Sequence, residues 1–390
     1  MSSIKLKGSS SGDVTITVPA AAGTNTVTIP AATGNLPLSN LTHVTNRPNT
    51  KPLVINGDMH VAQRSTSVTG VTSPAYVTVD RFHCNISTMG TWTVTQADDA
   101  PTGSGFQHSL KLDCTTADAS PAAGDNITIS TRLEGQDVQL FKKGTSSAEK
   151  FTVSFYVKST KTGTHILELD DNDNGRNINQ AYTISSSNTW EKKVLTFDAD
   201  TTGAFGNDNG SSLRLFWWVG AGSTFSSGTL ETSWASTTNA NRAVGQVNNA
   251  DSTDNNWQIT GVQLEVGEYT ADTIPPFQHE SFGDNLSRCR RYFESTEPSS
   301  NRRICGFQTA SSGQKCLPVD FKTSKRANPT MIIFDEANAS GKLSTLNLGG
   351  TATNGATVAL VLAYVDCVTV FSNNGTNAGI SFQYTADAEL

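Results

Sequence analysis

The sequence predicts an all-β protein: a jelly-roll β-sandwich preceded by a short β-repeat segment and followed by one linking helix and a C-terminal β-sandwich domain. Charged residues make up 16% of the 390 residues, against about 25% in ordinary soluble domains. Short stretches of alternating apolar and polar residues recur at spacings of ~10–20 residues. Polar turn clusters such as DDNDNG and FGNDNG separate these stretches, which is the pattern of a β-sandwich.

Residues 1–50 differ from the rest because they contain an internal repeat. Residues 14–25 are followed by a similar stretch at 27–35, in which Pro30 corresponds to Pro19. Each copy has a short alternating β segment, a proline that stops it and an Ala/Gly turn. Strands with so few large side chains bury too little surface to fold alone. We therefore predict that residues 1–50 form an attachment and oligomerisation segment, with a flexible tail as the alternative.

Residues 51–280 are predicted to form the jelly roll. Its clearest strand is residues 151–158, FTVSFYVK, which places Phe151 and Phe155 on one face and Tyr156 on the other. Further strands are predicted at residues 165–169, 182–184, 191–197, 212–219 and 257–266.

The apolar period changes to that of a helix in residues 281–299, the predicted linking helix. Leu286, Cys289 and Tyr292 recur at helical spacing. Asp284 is the predicted N-cap, and Pro298 blocks continuation of the helix. This segment separates the jelly roll from the next β region.

Residues 300–390 return to strand patterns and are predicted to form a C-terminal β domain. The predicted strands are residues 303–308, 315–321, 330–334, 357–371 and 379–384.

Composition and motifs exclude several classes of function. The net charge is −7 without a cluster of Lys or Arg, so a nucleic-acid partner is not expected. A run of ~18 apolar residues is absent from the sequence, so membrane insertion is not expected. The six histidines form no HExxH motif, and the chain has no GxSxG motif. We predict a protein that is not an enzyme.

The best candidate binding residues lie in the strand at 212–219. Alternation sends Arg214, Phe216 and Trp218 to the face opposite the all-apolar one, and Tyr156 is the outward aromatic residue of its own strand. Exposed aromatic faces beside planar polar side chains are typical of sugar sites. These residues are therefore a candidate glycan face. The alternative is that they pack against a neighbouring subunit or a covering loop.

The DDNDNG stretch raises the question of calcium. Asp170, Asn172 and Asn174 meet the start of an EF-hand loop, but Ala181 stands where that loop needs a bidentate Glu. A β-hairpin turn is the alternative. We therefore expect no cofactor, with calcium kept as a possibility at these three residues.

Several longer stretches resemble those of bacteriophage tail fibres and receptor-binding proteins, of the type common in phages of marine and cyanobacterial hosts. The specific ones are WQITGVQLEVG at residues 257–267 and CRRYF at 289–293. INGD at 55–58, DRF at 80–82 and PFQHESFGD at 276–284 add to the resemblance, which covers nearly the whole chain.

The resemblance implies a homotrimeric fibre on the virion, made in the host cytoplasm. Residues 1–50 would attach to a tail or baseplate protein, the middle domain would resemble a carbohydrate-binding jelly roll, and the C-terminal domain would form the distal end. The partner on the host would be a surface glycan or lipopolysaccharide. Two alternatives stay open: a structural tail or baseplate spacer without receptor binding, and a polysaccharide depolymerase.

Overall fold

The computed structural model describes residues 3–7, 13–17, 51–296, 304–306, 308–309, 315–346, 352–372 and 379–390. The chain divides into two units, Met1–Asn46 and Arg47–Leu390. In the first unit β1 (Ser3–Lys7) pairs antiparallel with β2 (Asp13–Thr17). The first repeat copy thus begins in β2, whereas the second copy at residues 27–35 lies outside the described residues.

Two antiparallel sheets form the first part of the second unit. The seven-stranded sheet has the order β14-β11-β10-β13-β8-β5-β4, and the six-stranded sheet has the order β12-β9-β15-β7-β6-β3. The strands are β3 (Ser67–Val71), β4 (Ala75–Tyr76), β5 (His83–Ser87), β6 (Thr91–Ala97), β7 (Ser109–Thr116), β8 (Asn126–Glu134), β9 (Phe151–Ser159), β10 (Gly163–Asp171), β11 (Arg176–Ile184), β12 (Glu191–Phe197), β13 (Ser211–Ala221), β14 (Ala235–Ser236) and β15 (Asn256–Val266).

The core between the two sheets follows from period-2 alternation. Phe151 and Phe155 of β9 are fully buried, and Leu215 and Trp217 of β13 face them from the other sheet. The Phe155 and Trp217 rings meet edge to face with centroids 5.7 Å apart. Burial of each such side chain contributes roughly 1.5–3 kcal/mol. The predicted all-β sandwich and the predicted inward faces of these two strands are confirmed.

A long connection covers part of the outer face of the seven-stranded sheet. After β13 the chain forms the short helix α1 (Ser223–Ser226) before β14. Phe225 of this helix and Ala243 pack with Trp218 and Ile166 in a small apolar cluster outside the main core. A stretch that reads in sequence as polar turns therefore forms a covering layer.

The linking helix α2 (Phe282–Arg290) is confirmed, but its predicted N-cap is wrong. Ser281, not Asp284, caps the helix: its Oγ accepts a hydrogen bond from the Asp284 backbone N–H at 3.2 Å and donates to the Asp284 carboxylate at 2.7 Å. This is a capping arrangement in which two residues satisfy each other at the first turn. Within the described ranges, helices long and apolar enough to cross a membrane are absent.

The C-terminal domain forms a nine-stranded sheet in the order β16-β24-β21-β22-β23-β19-β18, and β17 and β20 also pair with β24. The single strand predicted at residues 357–371 is wrong. β22 and β23 form a hairpin there, and the turn between them is closed by a hydrogen bond from the Tyr364 backbone N–H to the Cys367 carbonyl oxygen. β21 was not predicted. The strands are β16 (Phe293–Ser295), β17 (Ile304–Gly306), β18 (Gln308–Thr309), β19 (Lys315–Asp320), β20 (Thr330–Phe334), β21 (Lys342–Leu346), β22 (Ala352–Ala363), β23 (Cys367–Ser372) and β24 (Gly379–Asp387).

Ion pairs join the C-terminal domain and its preceding helix to the jelly roll. Arg81, which is fully buried, pairs with Glu389, and its guanidinium carbon lies 3.4 Å from the centroid of the Tyr292 ring. Arg291 donates from Nε and Nη2 to the two carboxylate oxygens of Glu134 at 2.8 and 2.7 Å. Removal of one partner from the buried Arg81–Glu389 pair costs about 3–5 kcal/mol, whereas the Arg291 side chain is 32% exposed. The buried pair is therefore the stronger of these two contacts between the domains.

Candidate functional site

Neighbouring strands place side chains in rows across the outer face of the seven-stranded sheet. The pairing register aligns Phe216 of β13 with Glu168 of β10 and Ser130 of β8, and Ser130 aligns with His83 of β5. The flanking rows consist of Asn85, Thr128 and Trp218 on one side and of Arg132, Arg214 and Asp170 on the other. We call the surface formed by these three rows the groove face.

A groove of about 300 Å³ lies on the groove face. Its walls include Asn126 as well as Phe225 and Arg242 from the covering connection. The three predicted residues of β13, Arg214, Phe216 and Trp218, all line the groove. The register thus brings them together with amide, hydroxyl and imidazole groups that the sequence analysis did not select.

Two guanidinium groups lie close to the Phe216 ring. The Arg214 and Arg242 guanidinium carbons are 5.5 and 5.6 Å from the centroid of its ring, within cation–π range. Each arginine is held from behind: Arg214 donates to Asp170 at 2.7 Å, and Arg242 donates to Glu168 at 2.8 Å. The half-buried ring and its two planar neighbours are therefore fixed in position before any ligand arrives.

Trp218 is packed beneath the covering connection rather than exposed. Its side chain is 1% exposed, its ring centroid lies 5.3 Å from that of Phe225, and the Arg242 guanidinium lies over it at 5.3 Å. For Trp218 the alternative reading, packing against a covering loop, is the correct one. It supports the groove but offers no open ring face.

Glu168 is the acceptor at the centre of the site. It receives hydrogen bonds from Trp218 Nε1 at 2.9 Å, Arg242 Nε at 2.8 Å and Asn177 Nδ2 at 3.2 Å. Burial raises the pKa of this fully buried carboxyl group, and the Arg242 charge opposes that effect. A carboxylate with three donors acts as an anchor for its neighbours rather than as an open acid or base.

Several buried polar atoms of the groove face lack a hydrogen-bond partner among the described residues. They are the Thr128 and Ser130 hydroxyls, His83 Nδ1 and Arg132 Nε. Buried polar groups in native proteins are nearly always paired with protein or ordered water. Burial, and then the Arg132 and Arg64 charges, lowers the pKa of His83 to about 4, so the imidazole is neutral at pH 7. The described residues therefore leave these four buried atoms without a hydrogen bond.

Tyr156 does not belong to the groove face, which corrects the predicted four-residue glycan face. It lies on β9 of the six-stranded sheet, and because Phe155 and Trp217 face each other in the core, Tyr156 and Phe216 point to opposite sides of the sandwich. The period of 2 assigns a face within one strand and carries no information on which sheet the strand joins.

Tyr156 lies instead in an aromatic cluster on the other side of the sandwich. Phe106 has its ring centroid 5.6 Å from that of Tyr156, 4.9 Å from that of Phe277 and 5.1 Å from that of His279. Gly261 lies beneath with φ at +63°, and a Cβ there would come 2.7 Å from Phe106 Cζ. We call the outer surface of the six-stranded sheet around this cluster the aromatic face.

The calcium candidates do not share one site. Asp170 pairs with Arg214, Asn172 Nδ2 donates to the Ser211 carbonyl oxygen at 2.9 Å, and Asn174 Nδ2 donates to Asp171 at 2.8 Å. The stretch is the turn of the β10–β11 hairpin, as the alternative reading predicted. In the described part of the chain, a group of three or more His, Cys, Asp or Glu side chains that could hold a metal ion is not found.

The sequence analysis missed other residues of the groove for different reasons. Asn85 and His83 alternate with buried residues in β5 and carry a readable period-2 signal. Arg242 carries no such signal, because it follows a short 3-10 turn in an irregular, polar connection. Only the fold brings Arg242 over Trp218 and Phe216.

Family models and curated proteins give no match to the sequence. Among solved structures, the chain is similar to the enzymatically active domain of bacteriophage CBA120 tailspike protein 4, at 15% identity and a TM-score of 0.28, covering 55% of this chain and 21% of that one.

Two further matches contain CBM22 modules. The N-terminal CBM22-1-CBM22-2 tandem domain of Paenibacillus barcinonensis Xyn10C matches at 10% identity and a TM-score of 0.26, covering 85% of this chain and 92% of that one. The CBM22-1-GH10 modules of Clostridium thermocellum Xyn10B, complexed with xylohexaose, match at 11% identity and a TM-score of 0.27, covering 56% and 29%. At these identities and TM-scores the likeness assigns no function to the chain.

Proposed function

We propose that the chain is a non-catalytic subunit of a virion tail fibre that adheres to host-surface glycans or lipopolysaccharide through the groove face. The observation that supports the binding site is the half-buried Phe216 ring, which lines the groove with the Arg214 and Arg242 guanidiniums within cation–π range. Sugars present apolar C–H faces and hydroxyl edges, so a fixed ring next to planar guanidinium donors matches both.

The carboxylates beside the groove support binding rather than hydrolysis. Glycosidases hold two carboxyl groups ~5–10 Å apart across the scissile bond, one as an acid and the other as a base or nucleophile. Glu168 and Asp170 do not line the groove, and both are engaged by arginines. Neither is open to a substrate oxygen or to an attacking water.

The assembly supplies the strength that a single site lacks. One glycan site commonly holds at about the millimolar level, roughly −4 kcal/mol. Three chains in a homotrimer and several fibres on a particle raise the avidity by ~10²–10⁴-fold through effective concentration. Residues 1–50 attach the fibre to a tail or baseplate protein in this proposal, although most of them lie outside the described residues.

A binding assay with matched variants tests the proposal. The full chain is applied to an array of bacterial surface polysaccharides and lipopolysaccharides as wild type, as Phe216→Ala and as the control Tyr364→Ala, whose ring is 55% exposed in the C-terminal domain. We expect Phe216→Ala to weaken binding about tenfold, or ~1.4 kcal/mol, and Tyr364→Ala to bind as wild type. Equal binding by wild type and Phe216→Ala contradicts the proposed site.

Two further readouts separate the alternative functions. A structural spacer binds no glycan on the array, and a depolymerase releases reducing ends from the polysaccharide it binds. Light scattering tests the assembly: we expect a mass near three times 41.4 kDa. A stable monomer would rule out the homotrimer.

A further inference from the structure

The side chains that line the groove carry positive charge, whereas the net charge of the chain is negative. The protein carries a net charge of −7, yet Arg132, Arg214 and Arg242 line the groove and no Asp or Glu among the described residues does. The one other titratable lining group, His83, is neutral at pH 7. The charged groups that face the groove are thus all guanidiniums.

The two ion pairs behind the groove share one orientation. The Arg214 side chain is 27% exposed and its partner Asp170 is 6% exposed, and the corresponding values for Arg242 and Glu168 are 17% and 0%. In both pairs the guanidinium faces the groove and the carboxylate lies on the buried side. Each pair is therefore a dipole with its positive end towards the groove, which favours an anion there even though the pair carries no net charge.

The guanidiniums also retain unused donors. Arg242 makes its one hydrogen bond to the described residues through Nε, which leaves Nη1 and Nη2. Arg214 uses Nε and Nη2 on Asp170, which leaves Nη1. Fixed N–H groups of this kind pair most strongly with carboxylate, sulfate or phosphate oxygens.

From this arrangement we infer that the groove selects acidic sugars, in which a ring carrying an anionic substituent, a carboxylate in the first instance, stacks on Phe216 and accepts hydrogen bonds from Arg242 and Arg214. This inference rests on the proposed function and specifies its ligand class. A neutral sugar would occupy the ring face but leave the guanidinium donors to water. The anionic substituent is therefore the element that distinguishes ligands.

A matched pair of polymers tests the inference on the full chain. Polygalacturonate and its fully methyl-esterified form share one backbone and differ in charge. We expect the wild type to bind polygalacturonate at least tenfold more tightly than the ester, and we expect that preference to fall between 50 and 500 mM NaCl because salt screens exposed charges. Dextran sulfate against dextran extends the same comparison to a sulfate substituent.

Two variants locate the effect. Arg242→Gln removes one guanidinium, and the double variant Glu168→Gln with Arg242→Gln removes both charges together, so that no buried carboxylate loses its ionic partner. We expect both variants to lose most of the preference for polygalacturonate, because their affinity for the acidic polymer should fall far more than their affinity for the methyl ester. Thermal unfolding of each variant tests whether the fold is kept.

The outcomes separate this inference from the proposed function. Equal wild-type binding of the acidic and esterified polymers, with loss of both in Phe216→Ala, overturns the acidic-sugar inference and leaves the glycan site standing. A preference for the acidic polymer that survives in the double variant also overturns the inference. Wild-type protein that binds no polysaccharide in either assay overturns both.

Discussion

The two outer faces of the jelly roll show how one folding pattern yields surfaces of different kinds. Both arise from alternation, which sends every second residue of β13 and of β9 away from the shared core. On the groove face, arginines, hydroxyls and one half-buried ring surround an open groove. On the aromatic face, Phe106 and Phe277 pack over Tyr156 and fill the space. The loops, not the strands, decide which outer face stays open.

The largest expected effect is on stability at the groove face. Trp218→Ala should lower the free energy of unfolding by about 3–5 kcal/mol, because it empties a fully buried site between Phe225 and Arg242 and removes a donor to Glu168. Urea denaturation measures this change in the free energy of unfolding. Trp218→Phe keeps most of the volume and should lose less. A loss below 1 kcal/mol in Trp218→Ala would show that the covering connection does not pack as described.

The next largest expected effect is a loss of stability at the aromatic face, which tests how Phe106 packs there. Gly261→Ala should cost about 2 kcal/mol or more, because φ is +63° and the new Cβ would meet the Phe106 ring. Gly103→Ala is the control: its φ is +77° with open space around it, so it carries the backbone strain without the contact. Equal losses in the two variants, measured by thermal or urea unfolding, would mean that Phe106 does not press on this position.

A smaller effect depends on pH and on His83 of the groove face. Burial, and then Arg132 and Arg64, lowers the pKa of His83 from 6.5 to about 4. The unfolded chain takes up a proton below about pH 6.5 while the folded imidazole stays neutral, so stability should fall as the pH falls from 6.5 towards 4. The expected His83 share is on the order of 1–2 kcal/mol.

His83→Gln should flatten this part of the pH profile in urea denaturation. Other groups act over the same range: burial also lowers the pKa of His165 to about 4, and burial raises that of Asp80 to about 6, with the opposite sign. Subtracting the pH profile of His83→Gln from that of the wild type removes the contributions of His165 and Asp80, which the two proteins share. Parallel pH profiles for the two proteins would contradict the assignment.

The smallest expected effect is on binding. Tyr156→Ala, on the aromatic face, should change glycan affinity less than twofold, because the ring lies on the side of the sandwich opposite to Phe216. The same array that tests Phe216→Ala measures it. A tenfold loss in Tyr156→Ala with unchanged folding would place a ligand site on the aromatic face and reverse the comparison drawn above.

Particular residues show what the sequence could and could not predict. Alternation alone placed Trp217 in the core and Phe216 outside it, because the side-chain period of a strand is fixed. It could not place Tyr156, since strand order depends on pairing between distant segments. It could not predict that Trp218 is buried, because that burial depends on Phe225 and Arg242 in an irregular connection.

Two element boundaries that the sequence predicted wrongly, the β22–β23 turn and the N-cap of α2, have local causes. The turn between β22 and β23 consists of Tyr364, Val365 and Asp366, so Asp366 is its one residue of a type that marks turns. The sequence places the N-cap of α2 three residues late because Asp284 is itself a good capping residue, yet Ser281 and Asp284 form the cap as a pair.

The arginine contacts between the two domains have a mechanical consequence. Helix α2 alone would act as a hinge between the jelly roll and the C-terminal domain. The Arg81–Glu389 and Arg291–Glu134 pairs add tethers beside it, so tension applied to the C-terminal domain is shared among several connections in parallel. A load on the C-terminal domain therefore reaches the jelly roll that carries the groove through side-chain contacts as well as through the backbone.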